Sequence, residues 1–254
     1  MKFLQTLKER NSLLYWFGSL MLTAAVICVM FTQLDNTIVL GINAWIKPMK
    51  FYVSIWIFCW TMACFLPYLK QPVKERSYSI MVIVAMSIEM VIITWQAANG
   101  RLSHFNESSP LYGILFTIMG ISITILGVWT GYIGYLFFKL KPLELEESYL
   151  WGIRLGILFF VIFSFEGGLM ASRLAHTVGA ADGGEGYALV NWSKKHGDLR
   201  IAHFLGMHAL QLLPIAGYFL FKKSLWTILF GIMYATIVTV IFVIALRGLP
   251  IIPV

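Results

Sequence analysis

Charge is scarce in this chain. Only 12% of its 254 residues are Asp, Glu, Lys or Arg, about half the share of an ordinary soluble domain. That scarcity excludes a soluble globular protein of this length. The motifs that define common chemistries are missing too: there is no HExxH, CxxC, GxGxxG or GxxxxGK. Motif-defined zinc proteases, zinc ribbons, dinucleotide sites and P-loops are therefore excluded. Cysteine is confined to Cys28, Cys59 and Cys64, all inside apolar runs. Two cysteines five residues apart on one helix do not suit a disulfide, and all three read as small buried hydrophobes. The 19 basic residues outnumber the 12 acids, but they form no single soluble patch, so nucleic acid is not an expected partner.

Hydrocarbon is what the sequence has instead. Seven apolar runs, at about 13–31, 51–69, 78–98, 111–138, 149–171, 201–221 and 225–246, approach the length that crosses a bilayer. They predict an all-α, polytopic membrane bundle forming one membrane domain over residues 1–254, with the lipid bilayer as its surroundings. The basic residues sit beside the runs. Lys2, Lys8, Arg10, Lys70, Lys74, Arg76, Lys139, Lys141, Lys222 and Lys223 fall on one side, against Lys47, Lys50, Arg101 and Arg247 in the other side's short segments. The positive-inside rule then places the N-terminus inside and the C-terminus outside. The first run lacks a small-x-small cleavage site, so it reads as an uncleaved anchor rather than a signal peptide.

The outer connections, 32–50, 99–110 and 172–200, are long and polar, apart from an apolar stretch at Ile38–Ile46 that suits a short interfacial helix. The Leu143–Ser148 stretch reads as a solvated linker opening the fifth helix. Gly113, Gly120, Gly127 and Gly134 recur every seven residues, with Gly131 nearby, and Gly152 and Gly156 form a GxxxG. Both patterns predict close helix packing. Arg101–His104 (RLSH) echoes Arg173–His176 (RLAH), which suggests a repeat of helix pairs. Asn106-Glu107-Ser108 and Asn191-Trp192-Ser193 are glycosylation sequons on the outer side.

With this orientation His104, His176, His196, His203 and His208 all fall in the outer half. On the sixth helix, with His203 as origin, Met207 lies at about 40°, Arg200 at about 60°, Gln211 at about 80° and His208 at about 140°. These groups share one broad face. Asp198, just before that helix, reads as its N-cap. Two carboxyls lie within apolar runs, Glu89 in the third and Glu166 in the fifth, and a carboxylate in hydrocarbon must be paired, protonated or bound to a cation.

Three functions follow from this inventory. The first is a metal- or haem-dependent membrane enzyme, redox or hydrolytic, acting on a lipid-like or small-molecule substrate. In it His176, His203 and His208 hold zinc, iron or haem, Glu166 serves as ligand or base, and Glu89 carries protons. His104, Arg173, His196, Arg200 and Gln211 complete the polar site. The second is a proton-coupled transporter or channel using the same residues. The third is a structural or assembly protein in which the polar groups only join helices.

At IKPMKF, GRLSHFN and HGDLRIAHFLGMHALQLLP the sequence resembles bacterial multi-pass membrane proteins of uncharacterised activity. The resemblance implies the bacterial cytoplasmic membrane and brings no chemistry with it. Microbial rhodopsins carry a lysine in the last span, and seven-helix zinc hydrolases of the adiponectin-receptor kind carry a histidine pair there. Residues 225–246 hold neither. The orientation has a direct test: a cysteine introduced into the 183–186 turn is expected to react with an impermeant thiol reagent from outside, and protection there would overturn it.

Overall fold

The computed structural model describes residues 2–141 and 145–252. Seven helices among them are long and apolar enough to cross a membrane: Ser12–Leu34, Ile46–Leu69, Pro72–Ala98, Pro110–Lys139, Glu147–Arg173, Leu199–Phe219 and Ser224–Leu246. Six of them contain their apolar run whole, and the sixth run, 201–221, extends two residues beyond the end of its helix at Phe219. The chain divides into two compact units, Met1–Leu126 and Gly127–Val254.

The first unit opens with α1 (Lys2–Arg10) and α2 (Ser12–Leu34). Asn11 separates them. Its Oδ1 accepts the Leu14 N–H at 3.0 Å, an N-cap. Its Nδ2 donates to Ser79 Oγ at 2.9 Å and to Glu75 at 3.2 Å. A single side chain thus ends one helix, starts the next and ties both to α4 (Pro72–Ala98), which begins with proline at its first position.

The apolar stretch after α2 is not the expected short helix. It forms a hairpin of β1 (Ile38–Val39) and β2 (Ile42–Asn43), turning at Leu40 and Gly41 with φ of 50° and 78°. Positive φ at both central residues is what a two-residue hairpin turn requires. Asp35 holds the hairpin in place. Its carboxylate accepts the Thr37 N–H and hydroxyl and the Trp45 indole N–H, the last at 2.7 Å. These bonds to Thr37 and Trp45 hold the Asp35 carboxyl below its ordinary range. The chain then enters α3 (Ile46–Phe65), so Lys47 and Lys50 lie in the first turns of the helix rather than ahead of it. A 3-10 turn, Leu66–Leu69, closes this span.

α5 (Pro110–Lys139) begins in the first unit and ends in the second. The second unit continues with α6 (Glu147–Ser164), α7 (Glu166–Arg173), α8 (Leu199–Phe219) and α9 (Ser224–Leu246). Of the linker expected at Leu143–Ser148, Leu143 and Glu144 lie outside the described residues, while Glu147 stands in the first turn of α6, where an acid suits the helix dipole. The fifth span, expected as one helix, is broken at Phe165 into α6 and α7. Its sequence carries the cause, since Gly167 and Gly168 follow Glu166 and weaken the helix there.

Backbone contact between α6 and α8 organises this unit. A Cβ at Gly152 would stand 2.5 Å from the Leu213 carbonyl oxygen, and one at Gly156 would stand 3.0 Å from that of Ala209. Reciprocally, a Cβ at Gly206 would run into the Phe163 ring, and one at Gly217 would lie 2.5 Å from the Ser148 carbonyl oxygen. The expected GxxxG packing is therefore present, and α8 supplies the matching glycines. Of the α5 glycines, Gly134 abuts Ile157 and Gly131 lies against Val161, whereas Gly113 and Gly120 meet nothing within 4 Å among the described residues.

Arg154, buried on α6, serves the end of α5. Its Nε donates to the Phe137 carbonyl at 3.0 Å and its Nη2 to that of Leu140 at 2.7 Å. These are carbonyls that a helix leaves unpaired at its C-terminus.

The seam predicts an asymmetric response to small substitutions. Gly152→Ala is expected to lower stability by about 1–3 kcal/mol through overpacking against backbone. Gly113→Ala should cost nothing. Thermal unfolding of the two purified variants in one detergent checks this, and equal behaviour would refute the seam.

Candidate functional site

The candidate residues fall into three settings. The first is the α3–α4 region of the first unit. Glu89 and Gln96, both on α4, are 3% and 1% exposed. One oxygen of each, Oε1, is buried and has no hydrogen-bond partner among the described residues, and the Trp56 indole nitrogen on α3 is in the same state. Lys47, at the start of α3, is close enough to act electrostatically on Glu89. A hydroxyl pair, Tyr52 with Thr94 at 2.9 Å, joins α3 to α4. His104 lies beyond α4 in an aromatic nest of Phe51, Phe105 and Phe116, with its Nδ1 3.0 Å from Ser103 Oγ.

The second setting is the break in the fifth span. A helix that stops at Ser164 leaves carbonyls without their usual partners. His203 on α8 takes one of them, placing Nδ1 2.8 Å from the Phe163 carbonyl oxygen. A carbonyl only accepts, so Nδ1 carries the proton, and in the neutral ring Nε2 keeps the lone pair. The His203 ring also faces Gly167, where a Cβ would stand at ordinary van der Waals distance, 3.6 Å from Cε1. Glu166 begins α7 at the break, and its Oε2 is buried with no partner among the described residues.

His208 does something different. Its Nδ1 lies 2.7 Å from the carbonyl of Phe204 on its own helix, and its ring stacks on the Phe204 ring at 4.0 Å. The two imidazoles of the broad face are thus tied to different helices, His203 to α6 and His208 to α8 itself. α8 buries its opposite side, Ala202, Gly206, Ala209 and Leu213, in the α6 seam. His203 stays at the edge of that seam on the Phe163 carbonyl, while His208 turns to its own helix.

The third setting is the loop between α7 and α8, which is a folded knot. Strands β3 (Thr177–Val178) and β4 (Gly197–Asp198) pair antiparallel across it. Asp198 is the N-cap of α8, as its position implied, and accepts the Arg200 N–H at 3.1 Å. It does more than cap. Its carboxylate takes the Arg200 Nη2 at 2.6 Å and the Ser193 N–H at 2.9 Å, and lies 3.9 Å from His176 Nδ1. Arg200 also donates to the Asn191 carbonyl. Asp182 meets His176 from the other side, with Oδ1 at 3.2 Å from Nδ1, and accepts the backbone N–H groups of His176 and Thr177. His196 sits on the rim with its N–H on Ser193 Oγ. Arg173 is exposed at the C-terminal end of α7, where a cation suits the helix dipole.

Of the expected residues, the structure brings His176 and Arg200 together around Asp198. Glu166 and His203 both stand at the break. Glu89 and His104 belong to the first unit. Among the described residues no group of three or more His, Cys, Asp or Glu is placed to hold a metal ion. The two RLxH echoes share a hydroxyl beside the histidine ring, Ser103 or Thr177, but otherwise differ, one ring being held by aromatics and the other by carboxylates. The sequon at Asn106 is closed: its side chain is buried and bonded at both ends, to the Leu102 carbonyl and to Ser108. Sequence reasoning missed Asp182, Trp56 and the break at Phe165. Only the break had a local signal, the paired glycines.

Fold and sites together define an all-helical, multi-pass integral membrane protein with carboxyls buried in its spans. No protein-family model, curated protein or solved structure matches the chain.

The knot carries a pH signature. Burial pushes the Asp198 carboxyl up, but the bonds and charge of Arg200, the Ser193 N–H and His176 outweigh it and hold the carboxyl below its ordinary value. A depressed folded value means the stabilisation is complete above about pH 4, the ordinary aspartate value. It is lost as pH falls further, through the folded value. Asp198→Asn should cost about 2–3 kcal/mol at neutral pH, since Arg200 then loses its partner while staying partly solvated. It should also flatten the acid limb of the stability curve. Melting temperatures of both proteins between about pH 3 and 7 test this, and parallel acid limbs would refute it.

Proposed function

We propose that this protein conducts protons across the membrane, as a transporter or channel, with Glu89 in the first unit and Glu166 in the second each a candidate proton carrier in its own right. One observation carries the proposal: each of these span residues keeps a buried carboxyl oxygen with no hydrogen-bond partner among the described residues. Desolvation of a carboxylate is costly, and an ionisable group within a span marks ion or proton traffic by default. An oxygen without a protein partner is open to a proton or to water. Lys47, acting on Glu89, supplies the positive charge that would let this carboxyl give its proton up again.

The placing of the imidazoles supports this reading over metal ligation, since among the described residues no group of three or more His, Cys, Asp or Glu is placed to hold a metal ion. His203 and His208 each commit Nδ1 to a helix carbonyl, and His176 commits Nδ1 to the carboxylates of the knot. His203, with Nδ1 on the Phe163 carbonyl, keeps the Nε2 lone pair of its neutral ring, which suits a proton acceptor. With the N-terminus inside, Glu166 and the α7–α8 loop face the outer side of a bacterial cytoplasmic membrane, and protons enter there.

The test is proton uptake by proteoliposomes under an imposed membrane potential, read with an internal pH dye. Wild-type protein should acidify the lumen. Glu89→Gln or Glu166→Gln should reduce uptake toward the leak of protein-free vesicles while keeping the wild-type melting temperature. A silent wild type, or undiminished uptake in both variants, would sink the proposal.

A further inference from the structure

We infer that the groove between α1 and α3 holds an acyl chain of an anionic phospholipid whose phosphate is bound by Arg10 and Lys8. The groove has a volume of about 200 Å³ and is lined by Phe3, Trp56, Ile57, Trp60, Thr61 and Cys64. Its α3 positions recur on one helical face and run for about 12 Å along the axis. The one hydroxyl among them is turned inward, Thr61 Oγ1 donating to the Ile57 carbonyl at 2.7 Å. The wall is therefore apolar, and in a bilayer such a wall is wetted by lipid chains.

The polar end of the groove selects the headgroup. Arg10 stands at the Cys64 end, its Nη1 donating to the Cys64 carbonyl at 3.2 Å and to Tyr68 Oη at 3.1 Å. The guanidinium lies 4.9 Å from the Tyr68 ring centre, which fixes its plane. Nε and Nη2 donate to nothing among the described residues. They form the outward edge of the fork, the geometry that takes two phosphate oxygens at once. Lys8 lies over the Trp16 ring at 5.2 Å and is exposed, as are Lys2, Lys70 and Arg76. Of the two acids nearby, Glu9 accepts from Gln5 and Glu75 from Asn11. The surplus of cations favours an anionic over a zwitterionic headgroup. This inference does not depend on the span carboxyls.

Native mass spectrometry of the full chain, loaded with phosphatidylglycerol, phosphatidylcholine or inorganic phosphate, is the experiment. Phosphatidylglycerol should be retained preferentially. Lys8→Gln, at a side chain for which the described residues offer only the Trp16 ring, should weaken its retention about fivefold. Arg10→Gln should weaken it at least as much. Thr61→Trp, which fills the groove, should lower retention of phosphatidylglycerol while leaving the melting temperature of lipid-free protein unchanged or higher. Equal retention of the two lipids, retention of inorganic phosphate in place of lipid, or a dimer covering the groove in detergent would each overturn the inference. Unchanged retention in both Lys8→Gln and Thr61→Trp would do the same.

Discussion

A backbone carbonyl released inside hydrocarbon has no water to turn to, and that constraint shapes both units of this protein. At three places where a long helix ends or breaks, a side-chain donor is brought from elsewhere. Arg154 reaches from α6 to the last carbonyls of α5. His203 reaches from α8 to the carbonyl freed at the break in the fifth span. Arg10 returns to the Cys64 carbonyl near the end of α3. These polar residues look out of place in an apolar sequence. They are the terms on which the helices may stop where they do.

Against that background the unpaired oxygens of Glu89 and Glu166 stand out. The fold supplies donors for carbonyls at three helix ends, yet among the described residues two carboxyl oxygens and the Gln96 amide oxygen have none. Packing could have removed these groups at little expense, since an apolar residue of similar volume is often as stable in such a position. By the same reasoning the histidines become less mysterious: two of them serve helix carbonyls and one is locked in a carboxylate knot.

How much of this was legible beforehand depended on range. The seven spans were visible because composition alone reports them, and the Gly152–Gly156 seam because small residues four apart on a span have one main use. Asp198 as a cap was local and could be read. The hairpin at Ile38–Asn43 was not, because its apolar residues suit a helix and only the bonds gathered by Asp35, ten residues from Trp45, decide otherwise. The pairing of His176 with Asp182 and Asp198 depends on a loop folding back on itself, which no spacing rule encodes. The break at Phe165 was announced by Gly167 and Gly168 and went unread because hydropathy continues smoothly through it.

Gly197 packs against the backbone of Ala245 near the end of α9, so closely that any side chain there would collide with it. The loop between α7 and α8 therefore does not hang free above the membrane. It is wedged onto the last helix and shares its position. For protein engineering, this loop is a poor insertion site along most of its length, despite its polar and glycine-rich sequence. Gly184, with no neighbouring atom within 4 Å of where its Cβ would stand, is where an epitope or fluorophore could enter while leaving α8 and α9 in register.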